Sequence, residues 1–122
     1  MIECLTGFPP NVVAFRGHGQ VTRQDYQQVL SPAVEHALQA HGKVRLYYEI
    51  GADFTGMDAG AMLDDFRIGV EHLLHWERIA VVTDVGWVRH AAQAFVFLMP
   101  RWARLFGLAE AEAARRWISS QE

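Results

Sequence analysis

Apolar residues along the chain fall into two kinds of segment: short runs rich in β-branched and aromatic residues, and longer stretches in which they recur every third or fourth position. Residues 2–5 predict a short strand, and NVVAFRGHG, with Val12, Val13 and Phe15, predicts a second. FPPN at 8–11 supplies a turn between them, so the two strands read as a hairpin. Thr22 is suited to cap a helix, with Asp25 placed at the positive end of the helix dipole. Tyr26, Val29, Leu30, Ala33, Val34, Ala37 and Leu38 then mark one buried helical face, stopped by Gly42. Pro32 interrupts this stretch: either the helix bends there, or Ser31 caps a second segment with Pro32 at its first position.

KVRLYYEI at 43–50 predicts the third strand, and GADFTGMDAG a loop into a helix that Asp58 can cap. Met62, Leu63, Phe66, Val70, Leu73 and Leu74 form that helix's apolar stripe. RIAVV at 78–82 has no polar residue among its last four, as a strand buried on both faces requires. WVRHAAQAFVFLM predicts a helix ended by Pro100, RWARLF at 101–106 a last strand, and LAEAEAARRWI a closing helix. The order β-β-α-β-α-β-α-β-α implies right-handed crossovers and a mainly parallel sheet with helices packed on it.

The chain has 122 residues, enough for one domain that buries about 65% of its unfolded surface. Its net charge is −3, and it lacks the clustered Lys and Arg that a nucleic-acid backbone requires. Charge is uneven: residues 78–122 hold 6 basic and 4 acidic side chains, including Arg89, Arg101, Arg104, Arg115 and Arg116, which we read as a solvated face. Cys4 is the single cysteine, so no internal disulfide forms. MIECLTGFPP, with an acid at position 3 and no long apolar stretch, does not read as a signal peptide, and AFVFLMP at 94–100 falls far short of a ~20-residue membrane span. A cytoplasmic location is expected.

Motifs for chemistry are thin. GADFTG has the outer glycines of a phosphate loop, but Met57 and Asp58 stand where Lys and Ser/Thr belong. RGHGQV lacks the third glycine of a dinucleotide fingerprint. His72 and His75 are one turn apart, yet no third metal ligand is placed by spacing, and His36 and His41 likewise sit at a helix end. Ser31, Ser119 and Ser120 lie outside any GxSxG turn, and Cys4 has no helix N-terminus to activate it. No catalytic residue, metal or cofactor is assigned.

The segments GHGQVTRQDYQQVLSPAVEHAL, GKVRLYYEI, RIAVVTDVGW and FLMPRWARLF, followed by AARRWI, resemble in order and spacing the bacterial SpoIIAA-like family. The resemblance covers nearly all of residues 1–122. It implies a single α/β domain of STAS-like fold, similar to anti-anti-sigma and CRAL-TRIO lipid-binding domains, with a mixed, mainly parallel sheet of four or five strands. It also implies a regulatory or ligand-binding module without enzymatic activity. In related anti-anti-sigma proteins a serine at a helix start is phosphorylated; Asp58-Ala59-Gly60 stands where Asp-Ser-Ser-Gly is expected, leaving Thr55 as the nearby hydroxyl.

Ligands of open α/β sheets sit beyond the carboxyl ends of the strands. Asp53 and Phe54 follow the third strand, and Asp84 and Trp87 the fourth. The expected ligand is a small apolar or amphipathic, lipid-like molecule. Phe66, Trp87 and Phe97 would supply apolar area, with Met99 and Trp102 beside them, while Asp84 and Arg89 orient a polar head. The helix at 87–99 is apolar nearly all round, so core, ligand or a homodimer face must cover it. Asp84 is expected foremost to cap that helix. The alternative reading is an anti-anti-sigma-type module whose partner is a regulatory protein, and a third is an enzyme using the strand-end acids.

Overall fold

The structure is a computed structural model that describes residues 1–98 and 102–120. Met99, Pro100 and Arg101, where a helix end and a strand start were expected, lie outside the described residues, as do the side chains of Val70 and Leu73. Five strands make the main sheet: β1 (Ile2–Cys4), β2 (Val12–Gly17), β4 (Val44–Ile50), β6 (Trp76–Thr83) and β7 (Ala103–Phe106), in spatial order β1-β2-β4-β6-β7. β1 runs antiparallel to β2 and the other pairings are parallel. The expected hairpin and parallel core are therefore both present. β7 begins two residues later than its sequence pattern predicts, and Trp102 precedes it.

Alternation along β4 divides its side chains between two cores. Val44, Tyr48 and Ile50 join Phe15, Tyr26, Val34, Ile79 and Val88 on one face. Tyr47 joins Val12, Ala14, Ala80 and Val82 on the other, under Ala114 and Ile118. A strand buried on both faces has no solvent side to spend on polar residues, which accounts for the apolar runs in β4 and β6. The first face is covered by α2 (Ser31–His41), α3 (Ala59–Glu71) and α4 (Gly86–Leu98), and the second by α5 (Ala111–Ser119).

Arg45 and Arg78 explain why α5 ends where it does. Arg45 Nη1 donates to the carbonyls of Ile118 (3.0 Å) and Ser120, and Arg78 Nη1 donates to Trp117 O at 2.7 Å. These guanidinium groups meet the unsatisfied carbonyls and the negative end of the helix dipole. Arg45 is itself buried and held by Glu77 at 2.5 Å.

The helix that Thr22 opens is continuous through Pro32. Its first turn, α1 (Arg23–Asp25), carries a capping box in which Thr22 and Asp25 satisfy each other's backbone N–H groups. Tyr26–Leu30 then forms a π-turn leading directly into α2, with the Ser31 N–H bonded to the Tyr26 carbonyl. Proline has no N–H and its ring crowds the carbonyl four residues back, so widening the preceding turn accommodates it. Ser31 is helical and makes no capping bond, so the bent-helix alternative is the one observed, in the form of a π-turn.

Two features depart from expectation. GADFTGM is not wholly loop: β5 (Gly56–Met57) pairs in parallel with β3 (Gln20–Val21) as a second, two-stranded sheet. More consequential is the rotation of α3. Met62, Leu63 and Phe66, expected to be buried, face solvent, as does Leu74 just beyond the helix; Phe66 is 70% exposed. Polar ties decide this. Asp58 Oδ1 accepts from Ala61 N at 2.7 Å, Asp64 pairs with Arg23 at 3.3 Å, and Asp65 Oδ1 accepts from the Tyr26 hydroxyl at 2.7 Å. Ala61 and Asp64 are the buried residues of this side of α3.

Ile118 is fully buried between α5 and the sheet. Its replacement by alanine is expected to lower the unfolding free energy by about 2–5 kcal/mol, and by valine by about 0.5–1.5 kcal/mol, measured by urea denaturation.

Candidate functional site

Parallel register sets the strand ends side by side. Gly17 pairs with Ile50 and Ile50 with Thr83, while Val82 pairs with Phe106. The residues that follow each strand, His18, Asp53 and Phe54, Asp84 and Val85, and Gly107, therefore emerge at one rim. Asp53 and Asp84 share that rim.

At one end of the rim His18 joins three elements. Its Nε2 lies 2.7 Å from Glu3 Oε1 on β1, and its Nδ1 lies 2.9 Å from Asp53 Oδ2 after β4. The bond to Glu3, then that to Asp53, raises the imidazole pKa above its ordinary value, and the bond to His18 holds the Asp53 carboxyl below its own. Beside them Arg16 Nε donates to Glu49 Oε2 at 2.6 Å, with Glu3 at 3.8 Å from Nη1. Glu49 Oε1 accepts from the Tyr47 hydroxyl at 2.6 Å. Burial opposes ionisation of Glu49, but the bonds from Tyr47 and Arg16 outweigh it and leave the carboxyl below the usual range. Burial, then Glu49, pushes the Tyr47 phenol up to about 12.

Toward the middle of the rim Phe54 packs on the core and faces Trp87, ring centroids 6.1 Å apart. Trp87, near the start of α4, remains half exposed. At the far end Arg89 Nη1 donates to the carbonyls of Thr83 (2.7 Å) and Phe106 (3.3 Å). Asp84 Oδ1 accepts from Leu108 N at 3.1 Å. Asp84 was expected to cap the helix it precedes; its carboxylate instead meets the turn after β7. The reason is proximity across the rim, because a Cβ added at Gly107 would stand 3.1 Å from that same oxygen. Thr83 Oγ1, accepting from Val85 N at 3.1 Å, ends β6.

The residues singled out from sequence thus divide. Asp53, Phe54, Asp84, Trp87 and Arg89 share the rim. Phe66 and Phe97 project to solvent from α3 and α4, Phe97 at 84% exposure. Trp102 packs edge-on against Phe95, 6.4 Å between centroids, rather than beside Phe97. Thr55 is exposed in side chain, and its N–H donates to Gly19 O at 2.8 Å. His72 and His75 stand edge-on at 6.4 Å, and His72 Nε2 bonds Glu35 at 3.1 Å; among the described residues no three His, Cys, Asp or Glu side chains converge as metal ligands.

His18 with Glu3, and the Arg16–Glu49–Tyr47 chain, were missed by sequence reasoning. A faint signal existed: Arg16 and Glu49 each interrupt an apolar strand, and an ion pair is one way such a residue is buried.

A five-stranded mixed sheet with helices on both faces and a clustered strand-end rim defines a STAS-like α/β domain. The chain belongs to the SpoIIAA-like family, whose model matches residues 12–119. A similar solved structure is an uncharacterized protein of the DUF3478 family, with a SpoIIAA-like fold, from Shewanella loihica PV-4: 22% identity, TM-score 0.72, covering 96% of this chain and 93% of that one. No curated protein matches the chain. No helix among the described residues is long and apolar enough to cross a membrane.

A pH titration tests the His18 clamp. Its folded pKa lies above the ordinary 6.5, so the stabilisation is complete below that value and is lost as pH rises through the folded pKa. Asp53 acts at the acid limb: its contribution is present above 3.8 and lost as pH falls through its depressed folded value. NMR titration of the His18 ring is expected to give a midpoint above 6.5 that returns toward it in Glu3→Gln.

Proposed function

We propose that the protein is a non-enzymatic binding module whose ligand is a small apolar or amphipathic molecule, taken up beside the strand-end rim. One observation carries this reading: apolar side chains stand exposed on the helices covering a single face of the sheet. Met62, Leu63 and Phe66 on α3 and Trp87, Phe97 and Leu98 on α4 are the residues concerned. Single exposed hydrophobic residues need no explanation, but a series of large ones on elements that cover the same sheet face favours a binding role. An acyl chain or comparable apolar body would gain about 25 cal/mol for each Å² of apolar surface covered.

The polar end of the ligand would be met at the rim. Arg89 Nη1 donates to two strand-end carbonyls, which hold the guanidinium in place, and its other N–H groups, which have no bond among the described residues, would meet an anionic head. Asp53, exposed and bonded to His18, would receive a donor from the ligand. Phe54 and Trp87 lie between these polar groups and would carry the first part of the apolar stem.

Family membership supports a second reading, a protein-interaction module of anti-anti-sigma type. Its phosphoswitch would rest on Thr55, the nearby hydroxyl, since Ala59 at the start of α3 has none. Incubation with a cognate kinase would then label Thr55, and an unlabelled chain removes the switch.

For the first reading, native mass spectrometry of protein purified from its own host is expected to show a co-purifying small molecule. Total tryptophan emission, to which half-exposed Trp87 contributes, is expected to change on titration of the unaltered protein with fatty acids. Removing both Phe54 and Trp87 as alanines should weaken binding by about tenfold or more, equivalent to about 1.4 kcal/mol. Absence of any bound molecule, together with no response to fatty acids, overturns the proposal.

A further inference from the structure

His18 leaves β2 with a carboxylate oxygen against each ring nitrogen: Glu3 Oε1 lies 2.7 Å from Nε2, and Asp53 Oδ2 lies 2.9 Å from Nδ1. A neutral imidazole has one N–H, and an ionised carboxylate only accepts. Both contacts are hydrogen bonds at once only in the imidazolium, where both nitrogens donate. With that proton gone, a ring lone pair faces one of the carboxylates and the contact turns repulsive. Further charges stand near. Arg16 on β2 has its Nη1 3.8 Å from Glu3. The Met1 ammonium donates to the His18 carbonyl at 2.8 Å and lies 3.3 Å from Asp25.

Of the two carboxylates, Asp53 is the one free to give way. Glu3 sits in the sheet, opposite Arg16 in the β1–β2 register, and has that guanidinium as a second cation. Asp53 lies outside the strands, its side chain is 62% exposed, and among the described residues no other cation comes within ion-pair distance. The segment beyond it is anchored by its backbone: Thr55 N–H donates to Gly19 O at 2.8 Å, and β5 pairs with β3. Between β4 and that anchor runs a turn closed by Phe54 N–H to Gly51 O at 3.2 Å, with Ala52 and Asp53 at its tip. Among the described residues, His18 is the side-chain tie from that tip to the sheet. Phe54, next in sequence, sets its ring 6.1 Å from Trp87.

We propose that His18 is a proton-operated latch: as the imidazolium it holds the 51–54 turn and Phe54 against Trp87, and as the neutral ring it releases Asp53 and lets Phe54 leave. The direction follows from which form makes both bonds. The latch is closed below the folded pKa of His18, which lies above the ordinary 6.5, and opens as pH rises through it. Phe54 and Trp87 are also the residues proposed to carry a ligand's apolar stem, so the latch would gate that part of the rim. This last consequence rests on the fatty-acid reading; the latch does not.

The test is a pH series of two-dimensional NMR spectra of the full chain without ligand. The His18 ring, the amides of 52–55 and the Trp87 indole N–H, assigned through Trp87→Phe, are expected to titrate with one midpoint. Protection of the Phe54 amide, corrected for intrinsic exchange, is expected to fall about tenfold above that midpoint. His90, one turn along α4 from Trp87, can shift the indole by itself. Asp53→Ala separates the two effects, because it removes the tie and should leave the turn released at every pH. Loop amides that stay flat through the His18 midpoint in the unaltered protein overturn the proposal, as does a loop response that keeps this midpoint in Asp53→Ala. Fatty-acid titration on either side of the midpoint is a separate arm. Loop amides that follow His18 with no fatty acid bound support the latch and overturn the ligand reading. Fatty-acid binding with flat loop amides overturns the latch and leaves the ligand reading.

Discussion

β4 is covered on both faces, and most of the molecule follows from that double burial. Its alternate side chains belong to different cores, so neither α2 nor α5 can leave without exposing one face of the central strand. The parallel partners on either side, β2 and β6, are then obliged to return through helical crossovers, because parallel neighbours cannot be joined by tight turns. One result is a rim at which every parallel strand ends. Another is that Arg45, on the same strand, reaches across to the end of α5 and ties the second layer to the sheet.

Within that frame, polar contacts and not apolar area set the orientation of α3. An amphipathic helix ordinarily turns its apolar stripe inward. α3 instead turns Ala61 inward and places Asp64 and Asp65 against Arg23 and the Tyr26 hydroxyl. Tyr26 is fully buried and its hydroxyl needs a partner, which Tyr48 and Asp65 provide. Burial, then the nearby Asp65 carboxylate, holds the Tyr26 phenol well above its ordinary pKa, so it stays a donor. The cost is apolar surface left in solvent on α3.

The rim and the α3 surface differ in kind. The rim is a set of mutually satisfied charges: His18 between Glu3 and Asp53, Arg16 on Glu49, Asp84 on Leu108 N. Such networks position a backbone and resist distortion. The α3 and α4 surfaces are the opposite, with large apolar side chains such as Phe66 and Phe97 left in solvent.

Element order, the parallel core, the Thr22 and Asp58 caps and the family resemblance were all legible along the chain, because each rests on local periodicity or on residues a few positions apart. The strand-end placement of Asp53, Phe54, Asp84 and Trp87 followed from that order alone. Helix rotation did not: Met62, Leu63 and Phe66 have the spacing of a core face, and only Tyr26 and Arg23, some forty residues earlier, turn them outward. The same holds for Asp84, whose partner Leu108 is distant in sequence and adjacent only across β6 and β7, and for His18, clamped by residues from two other strands. What the amino-acid order determined by itself was which segments are helices and strands and how they alternate, since those choices are short-range. Which side each helix shows to water, and which charges meet, was decided only when the tertiary structure brought remote polar groups within hydrogen-bonding distance.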